Sequence, residues 1–141
     1  MFRELTRKNQ QLPMEECLRL LREETRGVLS VQGEDGYPYG MPMNHWYDDR
    51  DGCLYFHSGR GGHRTDGLRG CDKVSFCVVD KDELVAEKLT TYFRSVVVFG
   101  RVRILEDAEE KRAAVTALSR RYFPEMEEKI QQEASGALKN L

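Results

Sequence analysis

Four short apolar runs, each cut off by a cluster of turn-forming or charged residues, fill the stretch from Gly27 to Asp80 and constrain this chain more than any other feature. "GVLSVQG" gives way to "EDGYPYG", "MPMNHWY" to "DDRDG", "CLYFH" to a glycine-rich run, and "DKVSFCVVD" to "KDELVAEKL". Short runs rich in β-branched and aromatic residues, separated by Asp, Gly and Pro, predict strands joined by tight turns. The fourth run is apolar on both faces, as expected near the middle of a sheet. A helix enters this meander over Pro13 to Arg26. Pro13 suits its first position, Met14, Cys17, Leu18 and Leu21 form an apolar stripe, and Gly27 offers a stop. "KDELVAEKL" is ambiguous between loop and helix. "TTYFRSVVVFGRVRILE" is the longest strand candidate, and its pattern changes at Gly100, where a glycine permits a bulge or a barrel corner. Beyond it Arg101 and Arg103 share one face, suited to solvent or to salt bridges across a dimer. Asp107 suits a helix N-cap, with Ala108, Val115, Leu118 and Tyr122 as the stripe behind it. Pro124 opens a last helix carrying Met126, Ile130 and Ala134. Regular βαβ alternation is missing, so the pattern predicts a mainly β, α+β fold: an antiparallel barrel or sheet with flanking helices.

At 141 residues the chain is expected to form a single domain spanning 1–141. A formal net charge of −2 argues against a general binder of nucleic acid or of membrane surfaces. No apolar run approaches the roughly 18 residues that span a bilayer. The N-terminal stretch carries charges throughout, without a signal-peptide core, which points to the cytoplasm. The four cysteines, Cys17, Cys53, Cys71 and Cys77, contain no C-x-x-C pair and do not group with the three histidines. Reduced, partly buried thiols and no metal site are expected. Asp48, Asp49 and Asp51 lack the spacing of a calcium loop and read as turn formers. His45 and Trp46 read as wall residues of the barrel.

The segment "LYFHSGRGGHRTDGLRG", Leu54 to Gly70, carries the chemistry. It lies between a strand and a short helix, where unpaired N–H groups and glycines allow an anion close to the backbone. Arg64 can grip a phosphate bidentately, Ser58 and Thr65 add hydroxyls, and His57 and His63 can donate. A P-loop ending at Thr65 fails because Ser58, His63 and Arg64 stand where glycine, glycine and lysine belong, and a Rossmann pattern begun at Gly59 fails at Arg64. The residues alone leave a phosphate cradle and a plain surface turn equally open.

"GVLSVQGEDGYPYGMPMNHWYD", "CLYFHSGRGGHRTDGLR", "KVSFCVVD" and "TTYFRSVVVFGRVRIL" together resemble the FMN-binding split-barrel superfamily of pyridoxamine 5′-phosphate oxidase. The likeness is to its nitroimidazole-resistance branch. It implies an antiparallel six-stranded split β-barrel with flanking helices, assembled as a homodimer with FMN at the interface. Carried over residue by residue, it implies phosphate and ribityl contacts from His57, Ser58, Gly62, His63 and Arg64. Ring contacts follow from Pro42, Met43 and Asn44, and contacts from the partner subunit from Tyr92, Arg94 and Ser95, with His57 the candidate catalytic residue. The implied activity moves electrons from NADH or NADPH to a small acceptor such as a nitroaromatic compound. A flavin carrier or sensor without turnover, or a barrel holding haem or a deazaflavin, are the alternatives. The sequence ends at "GALKNL" where the resemblance implies a further strand, so the barrel is expected to close differently or to lack that strand. The longer phosphate signature of the oxidases is not visible, which disfavours oxidation of pyridoxamine phosphate.

Overall fold

Turn chemistry sets the first hairpins. In the first, Asp35 and Gly36 take left-handed φ values of 55° and 80°, which Asp and Gly tolerate best. In the second, the Asp48 carboxylate accepts from the Arg50 N–H at 3.0 Å and Asp51 from the Cys53 N–H at 2.9 Å. Gly52, at φ 70°, completes that turn. The aspartates are turn formers, as their spacing predicts.

The computed structural model describes residues 2–57 and 63–137, and within them all side chains except those at 63–65, 81–82 and 133–137. Helix α1 (Met14–Glu23) leads into β1 (Arg26–Gln32), β2 (Pro38–Asp48), β3 (Cys53–Phe56), α2 (His63–Gly70), β4 (Lys73–Val85) and β5 (Thr90–Arg101). Helices α3 (Ala108–Tyr122) and α4 (Glu127–Ala137) follow. Among the described residues the five strands pair antiparallel in the order β3-β2-β1-β4-β5, leaving β3 and β5 as the edges. This is the expected antiparallel, mainly β, α+β architecture with flanking helices. Alternate residues point inward to a core of Leu21, Leu29, Val31, Met43, Phe76 and Val78.

Several local expectations change. Helix α1 ends at Glu23, so Gly27 is not its stop but lies inside β1. There a Cβ would stand 2.4 Å from the Phe76 ring and 2.6 Å from the Cys77 carbonyl oxygen, so close approach, not helix termination, requires glycine. Met14 is exposed, and Leu20, outside the predicted stripe, is buried in its place. Strand β2 begins at Pro38, taking "PYG" from the predicted turn; proline is tolerated at a first strand position. "KDELV" continues β4, with a single helical turn over Ala86–Lys88 behind it. The irregularity expected at Gly100 sits instead between Asp80 and Glu83, whose partners are Arg94 and Tyr92, while Gly100 pairs in register with Val74. One extra residue on β4 makes this a bulge.

The last helices tie the ends of the others. Asp107 caps α3, accepting from the Glu110 N–H at 2.9 Å. Arg121 donates to the carbonyls of Leu21, at 3.3 Å, and Glu24, at 2.6 Å, which α1 leaves unpaired at its C-terminus. Strand β1 begins at Arg26, and the Tyr122 hydroxyl stands in for the rung before it. It accepts from the His45 N–H at 3.0 Å and lies within bonding distance of the His45 and Thr25 carbonyls. Helix α4 starts three residues after Pro124 and buries Ile130. Among the described residues no helix is long and apolar enough to cross a membrane, which does not bear on β-barrels.

Candidate functional site

Two rows of side chains cross the outward face of the sheet. Strand register aligns Pro42, Val28, Cys77 and Val97 in one row, and Gly40, Ser30, Ser75 and Phe99 in the next. Strand pairing gives this alignment because side chains two residues apart share a face. All eight are uncharged and most are small. Gly40 is close-set: a Cβ there would meet Val28 Cγ1 at 3.3 Å and Ser30 Oγ at 3.4 Å. Val28, Val79, Val97 and Phe99 are 40%, 48%, 50% and 56% exposed, although they are the kind of side chain that packs a core. The Phe2 ring stacks on Phe99 with centroids 4.8 Å apart. A contiguous exposed apolar surface of this kind marks a contact face.

The predicted ring contacts divide across the sheet. Pro42 and Asn44 point outward on β2, and Ser95, paired with Val79, points outward on β5. Met43 points inward and is 7% exposed, within the core, so only its main chain is available to the outward side. Arg94 also faces inward. It donates to both oxygens of Asp80, at 3.0 and 2.5 Å, and to Glu16 of α1 at 3.1 Å. The Asp80 hydrogen bonds hold its guanidinium further toward the charged form, and the Arg19 hydrogen bond, with the charges of Arg19 and Arg94, keeps the Glu16 carboxyl below its usual range. The role visible for Arg94 is to fasten α1 to the bulged end of the β4–β5 pair. Tyr92 lies beyond the bulge, its hydroxyl accepting from Lys88 Nζ at 2.9 Å.

His57 follows β3 directly and is exposed. Ser58 and Gly62 lie outside the described residues, as do the side chains of His63 and Arg64; the backbone of these last two opens α2. That helix is seated tightly on β1. A Cβ on Gly67 would stand 2.5 Å from the Gln32 carbonyl oxygen and 3.2 Å from Val31 Cγ2. Glycine at 67 therefore lets α2 pack closely on the end of β1, and its first N–H groups, those of His63 and Arg64, are of the kind able to hold an anion.

The sequence reading missed Val28, Cys77 and Val97. Their signal was the run of apolar residues on both faces of β4 and β5, which marks a sheet covered on both sides. Arg101 and Arg103 pair within the chain, with Asp72 at 2.9 Å and Glu110 at 3.3 Å. All four cysteines are free thiols, and no group of potential metal ligands occurs among the described residues.

This fold recurs in solved structures. A candidate 5-nitroimidazole antibiotic resistance protein of Bacteroides thetaiotaomicron is 26% identical with a TM-score of 0.69, the match covering 78% of this chain and 66% of that one. The chain thus spans just under two thirds of that protein. A conserved hypothetical protein of Mycobacterium tuberculosis, at 21% identity, shares the fold with a TM-score of 0.75 over 93% of this chain and 79% of its own. A FAD-binding protein of Mesorhizobium loti is 26% identical with a TM-score of 0.62, over 80% of this chain and 77% of its own. No curated protein matches. The family model for pyridoxamine 5′-phosphate oxidase matches residues 13–140, which takes in every strand and every helix from α1 to α4. The chain belongs to the pyridoxamine 5′-phosphate oxidase family.

Proposed function

We propose that the outward face of the sheet binds FMN and that the protein is an FMN-dependent oxidoreductase working as a homodimer. It would pass electrons from NADH or NADPH to a small acceptor such as a nitroaromatic compound. The observation that carries this reading is the outward face itself: two rows of uncharged, mostly small side chains crossing the sheet, with exposed apolar residues among them. A planar ring fits against Pro42, Gly40, Ser30 and Ser75, whose side chains are too small to hold it off the sheet. The donor set fits a phosphate monoester, with backbone N–H groups and Arg64 at the start of α2 and Ser58 and His57 before it. Likeness to a FAD-binding protein and to a candidate nitroimidazole-resistance protein supports the ligand class and the acceptor class in turn.

When bound, the flavin supplies the redox chemistry, accepting a hydride and releasing electrons singly or in pairs. The protein's own part is position and electrostatics. Pro42, Asn44 and the Met43 main chain orient the ring, and Arg64 anchors the phosphate. Exposed Val28, Val79 and Val97 meet the partner copy and exclude water from the ring. His57, which follows β3, is the candidate for proton exchange at the ring.

The absorption spectrum of the purified protein after incubation with FMN tests ligand class directly, and a colourless protein overturns the reading. Stopped-flow mixing with NADH and then NADPH, with and without a 5-nitroimidazole, tests the activity. Flavin that stays oxidised with both nucleotides leaves a flavin-binding protein without nicotinamide-driven turnover. Arg64→Ala should weaken FMN binding roughly tenfold to a hundredfold, the effect of losing one charged hydrogen-bonding partner; unchanged affinity removes Arg64 from the site.

A further inference from the structure

One cation stands on the outward face beside the rows already described. Arg26, the first residue of β1, pairs with Asn44 of β2, and by strand alternation both side chains share the outward side with Val28 and Pro42. Arg26 is exposed and makes no hydrogen bond or ion pair among the described residues. Arginines of the neighbouring elements are engaged: Arg22 with Asp49, Arg94 with Asp80 and Glu16, and Arg121 with the carbonyls of Leu21 and Glu24. The backbone next to the Arg26–Asn44 pair is nonetheless fixed. The Tyr122 hydroxyl bonds to the carbonyl of Thr25, which precedes Arg26, and to the N–H and carbonyl of His45, which follows Asn44. A binding group carried on a clamped strand is placed more precisely than one on a loop.

We propose that Arg26 faces the polar edge of the flavin ring and stabilises the negative charge that reduction puts there, so that it sets how readily the bound flavin accepts electrons. The inference rests on the flavin reading of the outward face. Asn44 is a ring contact in that reading, and directly paired residues have Cβ atoms about 4.5–5.5 Å apart, so a group that Asn44 touches is within reach of the arginine opposite. Covering the face with ring and partner copy takes Arg26 out of water, and a charge buried without a partner is strongly unfavourable. A second copy laid face to face brings the same two uncharged rows, which carry no acid. The reduced ligand does supply a counter-charge. Hydride transfer from a dihydronicotinamide breaks a C–H bond, forms an N–H bond on the ring and leaves the nicotinamide oxidised. The neutral ring thereby gains one negative charge, and a fixed guanidinium beside it favours the reduced form over the oxidised one.

The test uses the full chain with FMN bound and reads the two-electron midpoint potential of the flavin against a reference dye, which requires no turnover. Arg26→Gln should bind reduced FMN at least about tenfold more weakly relative to oxidised FMN, a fall in potential of about 30 mV. Arg26→Lys, which keeps the charge, should stay within about threefold of the parent ratio, and the Kd for oxidised FMN should change less than about threefold in both variants. Sulfite gives a second reading. Its sulfur adds to the oxidised ring, which takes the negative charge, so sulfite affinity should fall at least about tenfold in Arg26→Gln. An unchanged potential and sulfite affinity in Arg26→Gln, equal weakening of both oxidation states, or a shift in Arg26→Lys as large as in Arg26→Gln would each overturn the assignment. A change confined to self-association would overturn it too, and give Arg26 to the partner copy. The two readings fail separately: a parent chain that takes up no FMN removes both, whereas a yellow protein whose potential is indifferent to Arg26 removes only this one.

Discussion

The two faces of the sheet are made by the same strands, yet they answer to different demands. On β1, Leu29 and Val31 point inward and are 3% exposed, while Val28, next to Leu29, points outward and is 40% exposed. On β4, Phe76 and Val78 vanish into the core and Cys77 and Val79 do not. An inward residue is fixed by register, because a slip of one position would turn the whole buried set to solvent. An outward valine gains nothing from the isolated chain. Apolar side chains kept where the fold does not need them indicate a second contact, and the contrast separates folding residues from functional ones.

Substitution should reproduce that contrast. Phe76 is fully buried, with its ring edge-on to His45 and to Phe56, both at 4.9 Å between centroids. Phe76→Ala should cost about 3–5 kcal/mol in urea unfolding, the ordinary loss for emptying a core aromatic site. A loss below about 1 kcal/mol would mean that the inner face is not the core of this chain. Next in size is Tyr122→Phe, which removes the hydroxyl serving the His45 and Thr25 backbone and should cost about 1–3 kcal/mol. Hydrogen exchange should show the loss centred on the β1–β2 end, since the ring itself remains.

The strands were legible because alternation and turn residues act locally. So was the helix α3 cap, an Asp with a free N–H three residues on. What could not be read depends on contacts distant in sequence. Gly27 looks like a helix stop until Phe76, on another strand, is seen lying against it. Tyr122 fits an apolar stripe, and only the third dimension shows its hydroxyl completing a ladder begun 77 residues earlier. The bulge follows from how many residues β4 and β5 bring to one end, which neither strand states alone. For the candidate site, the sequence identified the segment and the family. Which members of "MPMN" face outward followed from register, and Arg94, a candidate for cofactor contact, turned inward to Asp80.

Acid should act on the inner face. His45 is fully buried; its Nε2–H donates to the Leu21 carbonyl at 2.8 Å, and Nδ1 has no hydrogen-bond partner among the described residues. Burial, aided by the nearby Arg121 charge, holds the imidazole below its ordinary value of 6.5 despite the Leu21 hydrogen bond. The unfolded chain therefore takes up a proton near that value while the folded chain does not, so the unfolded state binds more protons. Stability should fall as the pH drops below about 6.5, by at most about 1.4 kcal/mol per pH unit for one group. Urea unfolding at pH 7.5 and 5.5 measures the slope. His45→Gln can still donate to the Leu21 carbonyl but does not titrate, and should flatten it; an unchanged slope would assign acid sensitivity elsewhere.

The smallest expected effect is the most diagnostic. Val97 sits at the end of the row that begins with Pro42, half exposed, and its inward neighbours Val96 and Val98 carry the packing. Val97→Ser should change unfolding free energy by no more than about 0.5 kcal/mol, as surface substitutions usually do. On the proposed reading the same change places a hydroxyl in a face that must be dry against the ring or the partner copy. FMN retention and self-association, followed by flavin fluorescence on dilution and by sedimentation, should both weaken. A variant that is less stable by 2 kcal/mol would make the outward face part of the chain's own core. One that is equally stable, equally associated and equally flavin-bound would mean that the exposed valines serve neither contact, and the difference between the two faces would lose its functional meaning.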